Sequence, residues 1–217
     1  MAKVAVVLSG CGVYDGAEIN EAVLSLLSLE QQGASYQCFA PDREQMHVIN
    51  HLTGEPVEGE RRNVLVEAAR IARGNIKALG ELKEQDFDAL LVPGGFGAAK
   101  NLCDFAVAGA DMSVQDDFLG VARSFHEASK PIGLICIAPV MAAAICGAGT
   151  QCTIGSDSEV AAAIDAMGAQ HLQCPVSEAR VDVGKKLVTT PAYMLAGSVS
   201  EAYAGISDCV KEVLALA

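Results

Sequence analysis

The sequence predicts an α/β fold in three layers, a mainly parallel sheet covered by helices on both faces. Three observations predict it. The runs at residues 4–8, 89–92 and 131–135 are short and continuously aliphatic, the pattern of strands buried on both faces. Between them apolar residues recur at helical spacing. Each run stops at a turn of glycine or small residues, so strands and helices alternate, as crossover connections require.

In chain order, the first strand is Val4-Ala5-Val6-Val7-Leu8, followed by the glycine-rich turn Ser9-Gly10-Cys11-Gly12-Val13-Tyr14-Asp15-Gly16. Ile19, Ala22, Val23, Leu26, Leu27 and Leu29 then mark a helix over residues 18–32, which Gly33 ends. Residues 35–40 read as the second strand. Residues 41–64 are polar and longer than an ordinary connection, so this insertion is expected to form an accessory structure, a lid or a dimer contact. A helix follows at 64–73, a third strand at 89–92, and a helix at 118–128. Beyond the 131–135 strand come a short strand at 152–154, a helix at 158–167 capped by Asp157 or Ser158, a hairpin of residues 179–183 and 186–190, and a closing helix at 198–214.

The chain has 217 residues, 51% of them hydrophobic, which suits one domain with a substantial core. A net charge of −12 argues against nucleic acid or an anionic membrane surface as a main partner, since both need clustered Lys and Arg. The apolar start is stopped by Ser9-Gly10, too early for a secretory segment or a membrane span. The eight cysteines form no CxxC pair and no spacing with His suited to a metal, so they read as reduced intracellular thiols in a cytoplasmic protein. His47 and His51 lie four apart without a third ligand, and no metal site is expected. Gly10-x-Gly12-x-x-Asp15 lacks the third glycine of a dinucleotide fingerprint, and no phosphate loop occurs, so no cofactor is expected.

The candidate reactive group is Cys136. The apolar run Pro131-Ile132-Gly133-Leu134-Ile135 reaches this one nucleophilic side chain and passes at once into Ile137-Ala138-Pro139-Val140-Met141, a strand turning sharply into a helix. Amides at a helix start have no partner inside the helix and favour a thiolate, so the spacing predicts a lowered thiol pKa. The amides of Cys136 and Ile137 are also placed to hold an oxyanion. The same pattern fits a small hydrophobe that ends a core strand. Ligands in parallel sheets collect at the carboxyl ends of the strands, which brings Cys11, Gly94-Gly95 and Cys136 to one edge.

Val92-Pro93-Gly94-Gly95-Phe96-Gly97 and Ile135-Cys136-Ile137-Ala138-Pro139 resemble the PGG turn and nucleophile elbow of the ThiJ/PfpI superfamily, which has the class I glutamine amidotransferase-like, flavodoxin-like fold. Residues 9–16, Ile49-Asn50-His51-Leu52-Thr53-Gly54-Glu55 and Thr189-Thr190-Pro191-Ala192-Tyr193-Met194 resemble its ElbB-like branch, isoprenoid-biosynthesis proteins with glyoxalase activity. The resemblance spans nearly the whole chain. It implies that Glu18 sits against Cys136 to hydrogen-bond the thiolate and relay a proton. The expected oxyanion and substrate side is drawn from Gly94, Gly95, Ile137, Cys11 and Asn101, and the resemblance implies a homodimer.

One departure shapes the expected chemistry. The superfamily's triad histidine is missing around Thr153-Ile154-Gly155-Ser156, and neither His126 nor His171 is expected to replace it, so hydrolysis of glutamine is not expected. A small 2-oxoaldehyde such as glyoxal needs no proton delivery to a leaving amine. The expected activity is therefore cofactor-independent conversion of glyoxal to glycolate through a cysteine hemithioacetal, extending to removal of early glycation adducts. The alternatives are a redox-sensing cysteine, with Cys11 as the resolving thiol, and a regulatory protein of isoprenoid biosynthesis without turnover.

Overall fold

A computed structural model describes residues 1–217. The elements in order are β1 (Lys3–Val7), α1 (Ile19–Gln31), β2 (Ser35–Ala40), β3 (Ile49–Asn50), β4 (Glu55–Pro56), α2 (Val64–Ile71), β5 (Ile76–Ala78), β6 (Ala89–Val92), α3 (Phe105–Ala108), α4 (Asp116–Glu127), β7 (Ile132–Ile135), α5 (Ala142–Cys146), β8 (Gln151–Cys152), α6 (Ser158–Ala166), β9 (Gln170–His171), β10 (Arg180–Asp182), β11 (Leu187–Thr190) and α7 (Val199–Leu216). No helix is long and apolar enough to cross a membrane.

Seven strands form the central sheet in the order β10-β11-β7-β6-β1-β2-β5. Every neighbouring pair is parallel except β10 with β11, the hairpin expected over residues 179–190, which lies at one edge of the sheet. Successive strand side chains point to opposite faces, and β1 divides accordingly. Val4, Val6 and Leu8 join the core beneath α1, α2 and α7. Ala5 and Val7 join the core beneath α4, α5 and α6. The α/β architecture in three layers thus stands as the continuous aliphatic runs imply.

Three features were not legible in sequence. The edge strand β5 is only three residues long, and two of them are half-exposed, too little pattern to register. α3 is a single turn between loops. In α1 the buried face is Glu21, Ala22, Leu24, Ser25, Ser28 and Leu29, while Ile19, Val23 and Leu27 are exposed. The helix is therefore turned away from the apolar face its hydrophobic residues suggest. The Glu21 carboxyl group holds it there, accepting hydrogen bonds from the backbone amides of Gly94 and Tyr193 at 3.0 and 3.2 Å.

The insertion contains the small β3–β4 ladder, Ile49 opposite Pro56 and Asn50 opposite Glu55. It is clipped onto the turn after β1. The Ile49 amide donates to Asp15 Oδ2 at 2.7 Å and the Tyr14 amide to His51 Nε2 at 3.2 Å. His51 Nδ1 faces the Ile49 carbonyl at 3.1 Å, so the ring is assigned as the tautomer protonated there.

Candidate active site

Four loops leave the carboxyl ends of β1, β6, β7 and β11, which are neighbours in the sheet, and they converge on Cys136. The β6 loop can do so only because it is made of glycine. A Cβ on Gly94 would stand 2.4 Å from Cys136 Cβ and 2.7 Å from Glu21 Oε2, and one on Gly95 would stand 2.3 Å from the Glu18 amide nitrogen. Side chains at either position would push the elbow and the α1 start apart.

Cys136 itself has φ +62°, a left-handed conformation that a cysteine adopts only when the surroundings enforce it. Its amide donates to the Thr190 carbonyl at 2.9 Å, continuing the β11 pairing around the corner. The chain then enters a 3-10 turn, Ala138–Met141, before the five residues of α5. This is the predicted elbow. The predicted electrostatic consequence is reversed. The thiol pKa is pushed well above its ordinary value by burial and by the Glu21 charge, against the smaller opposing effect of the neighbouring Gly95 and Ile137 amides. A single 3-10 turn and a five-residue helix supply too weak a field to offset the loss of water around an anion.

The carboxyl group that meets the sulfur is Glu21, not Glu18. The Cys136 side chain lies beside the carboxyl group of Glu21, which is fully buried. Burial raises that carboxyl to about 7, despite the hydrogen bonds from Tyr193, Cys136 and Gly94 that favour its ionised form. Two negative charges cannot share this dry site, so the pair retains a proton across the neutral range. Glu18 is the N-cap of α1, its Oε2 accepting from the Glu21 amide at 2.6 Å, and it stands on the wall of the cavity over Cys136. One turn of helix separates the two acids. Nothing in the local sequence marks Glu21 over Glu18, since both are acids at a helix start.

That cavity is about 410 Å³. Glu18, Gly95, Phe96, Cys136, Ile137, Tyr193 and Met194 are among its lining, with Phe105 of α3 and Asp157 and Val160 at the start of α6 closing it. Tyr193 follows Ala192, whose φ is +43°, and its hydroxyl accepts from Asn20 Nδ2 at 3.1 Å.

Two expected site residues lie elsewhere. Asn101 is buried and ties three loops together: its Nδ2 donates to the Ser9 and Asp15 carbonyls at 2.8 and 2.9 Å, and its Oδ1 accepts from the Met46 amide at 3.0 Å. With every polar atom so engaged, it faces structure rather than substrate. Cys11 is half-buried among Glu67, Arg70 and Asp15, is absent from the cavity wall, and has its thiol pushed up by burial and by Glu67. No histidine lines the cavity. His171 accepts from the Ile154 amide at 3.3 Å instead, and its pKa is lowered by burial. No cluster of His, Cys, Asp and Glu is placed to hold a metal ion.

No family model matches the sequence. Among curated proteins it is 51% identical to the human glutamine amidotransferase-like class 1 domain-containing protein 3, mitochondrial, over 99% of this chain and 83% of that protein. The chain belongs to the glutamine amidotransferase-like class 1 family. The chain is also similar to the rat ES1 protein homolog, mitochondrial, 50% identical over 99% of this chain and 84% of that protein, and to the zebrafish ES1 protein, mitochondrial, 34% identical over 98% and 85%. Within this glutamine amidotransferase-like class, a crystal structure of an isoprenoid biosynthesis protein with amidotransferase-like domain from Ehrlichia chaffeensis superposes with a TM-score of 0.93 at 38% identity, covering 100% of this chain and 99% of that one. A DJ-1 superfamily protein from Salmonella typhimurium shares the fold at a TM-score of 0.56 and 19% identity, over 100% and 88%. The expectation of a cytoplasmic protein is overturned by these relatives, three of which are named as mitochondrial. The cysteine spacing on which that expectation rested does not distinguish one reducing compartment from another.

Proposed function

We propose that the chain is a cofactor-independent glyoxalase that converts glyoxal to glycolate on Cys136, with Glu21 and Glu18 as its proton carriers. The observation that carries the reading is the Glu21–Cys136 pair, a buried acid on a strained cysteine at the floor of a cavity.

Glu21 takes the thiol proton as the sulfur attacks one aldehyde carbon. The S–C bond forms, the carbonyl electron pair moves to oxygen, and the Gly95 and Ile137 amides beside the sulfur are the donors assigned to that charge. Protonation gives the hemithioacetal. Glu18, on the cavity wall, removes the C–H proton from the carbon bonded to sulfur and returns it to the adjacent carbon, turning the hemithioacetal into a hydroxyacyl thioester. Water cleaves the thioester, releasing glycolate and restoring the thiol. No electrons enter or leave, so no cofactor is required.

The lack of a histidine on the wall supports this reading over glutamine hydrolysis, which must protonate a leaving amine. The raised thiol and the absence of Cys11 from the cavity wall weigh against a readily oxidised sensor cysteine. Early glycation adducts carry the same reacting carbons, and the reading extends to them. The test is glycolate release from glyoxal by wild-type and Cys136→Ala proteins. Turnover at the wild-type rate without the sulfur removes the mechanism.

A further inference from the structure

The cavity over Cys136, about 410 Å³, falls in the size range of sites that enclose an organic ligand, roughly 300–1,000 Å³, and glyoxal, the smallest dialdehyde, would leave most of it empty. Its wall is built for something larger and apolar. Phe96, Phe105, Ile137, Val160 and Met194 surround the space above the sulfur.

The charged groups on the wall are of one sign. They are Glu18 and Asp157, and none of the 13 lining residues is Lys, Arg or His. Both carboxylates cap helix starts. Glu18 accepts from the Glu21 amide at 2.6 Å, and Asp157 Oδ1 accepts from the Glu159 and Val160 amides at 3.0 Å each. Lys100 gives no relief, since its Nζ donates to the Tyr14 carbonyl at 2.8 Å and sits 5.3 Å from the Phe96 ring centroid, lining a separate hollow. An anion in the cavity loses its hydration and meets two like charges with no counter-charge.

We propose that this site selects uncharged 2-oxoaldehydes bearing an apolar body of about benzyl size and discriminates against anionic ones. The carbonyl carbon lies over the Cys136 sulfur and the body lies against Phe96, Phe105 and Met194. The proposal rests on the glyoxalase reading for the reacting group, while the preference for a neutral apolar body is a property of the cavity itself.

The test therefore has an arm that needs no turnover. Wild-type protein is treated with iodoacetamide, N-benzyl iodoacetamide or its 4-carboxybenzyl analogue; in each the thiolate displaces iodide. Labelling of Cys136 is followed by peptide mass, and each rate is divided by that of N-acetylcysteine with the same reagent. The benzyl reagent is expected to react at least 10-fold faster than iodoacetamide and at least 10-fold faster than the carboxylated one. Asp157→Asn, which keeps a capping oxygen, is expected to raise only the carboxylated rate. Equal normalised rates, or no labelling of Cys136 by the benzyl reagent, overturn the proposal. The second arm compares kcat/KM for phenylglyoxal, 4-carboxyphenylglyoxal and glyoxal, with the same order expected. Absence of turnover with the labelling pattern intact sinks the glyoxalase reading alone. Glyoxal turnover without any preference in either arm sinks the cavity's selectivity alone.

Discussion

The Glu21 carboxyl group lies against the Cys136 thiol with no exposure to solvent, held from two sides by the amides of Gly94 and Tyr193. This contact joins α1, the β6 loop, the β7 elbow and the β11 loop in one place. It sets both the reactivity of the sulfur and the orientation of the helix.

Glu21→Gln removes the charge that opposes the thiolate and the base that receives its proton. The thiol pKa is expected to fall, because the Glu21 charge is one of its two main upward causes. Glyoxal turnover is expected to drop about 10²- to 10⁴-fold, the range for loss of a positioned base. Thiolate absorbance against pH and glycolate release measure the two effects. A thiol unchanged in pKa would mean that the two groups are not coupled.

Glu18→Gln acts at a later step. Cysteine still adds to glyoxal, but the carbon-to-carbon proton transfer stalls, so intact mass is expected to reveal protein carrying one glyoxal with little glycolate released. Gln keeps an acceptor for the Glu21 amide, so stability should change by less than the ~1 kcal/mol typical of a lost cap. Full glycolate release by this variant would leave both proton transfers to Glu21.

The pH dependence of stability follows from Glu21. Burial raises its carboxyl from the ordinary 4.5 to about 7 in the folded chain. Between those values the folded state binds a proton that the unfolded state has released. The contribution is therefore full below about 4.5 and lost as pH rises through about 7, on the order of 3 kcal/mol at most. Thermal melts of wild type between pH 5 and 8 are expected to fall relative to Glu21→Gln. Parallel curves for the two proteins would contradict a raised Glu21.

Gly94→Ala drives a methyl group to 2.4 Å from Cys136 Cβ and 2.8 Å from the Ile135 carbonyl oxygen. Overpacking of this kind destabilises by roughly 1–3 kcal/mol or more, and here it also parts Cys136 from Glu21, so activity is expected to vanish. Gly120, inside α4 with nothing within 4 Å of an added Cβ, is the contrast. Gly120→Ala is expected to stabilise by about 0.5–1 kcal/mol and leave turnover intact. Denaturant unfolding and glyoxal assays on the pair check this.

Asn101→Ala leaves the Ser9 and Asp15 carbonyls and the Met46 amide without the side chain that joins them. Buried groups left unpaired cost about 1–3 kcal/mol each, so a loss of roughly 2–5 kcal/mol is expected in denaturant unfolding. KM for glyoxal should stay within about threefold of wild type, because Asn101 stands apart from the cavity. A large KM change without loss of stability would return Asn101 to the substrate side.

The layered α/β fold was legible in the residues, because short aliphatic runs bounded by glycine turns suit strands covered on both faces, as β1, β6 and β7 are. So were the corner at Cys136 and the two glycines beside it, since both are written in adjacent residues. Which acid meets the sulfur was settled by long-range packing. Glu18 and Glu21 are equally plausible on a helix start, and the choice depends on the Gly94 and Tyr193 amides, which come from loops 73 and 172 residues further along. The thiol's pKa direction was decided the same way. The field of a helix start is a local quantity that sequence can suggest, but burial and a carboxyl neighbour arise from packing, and here they outweigh it.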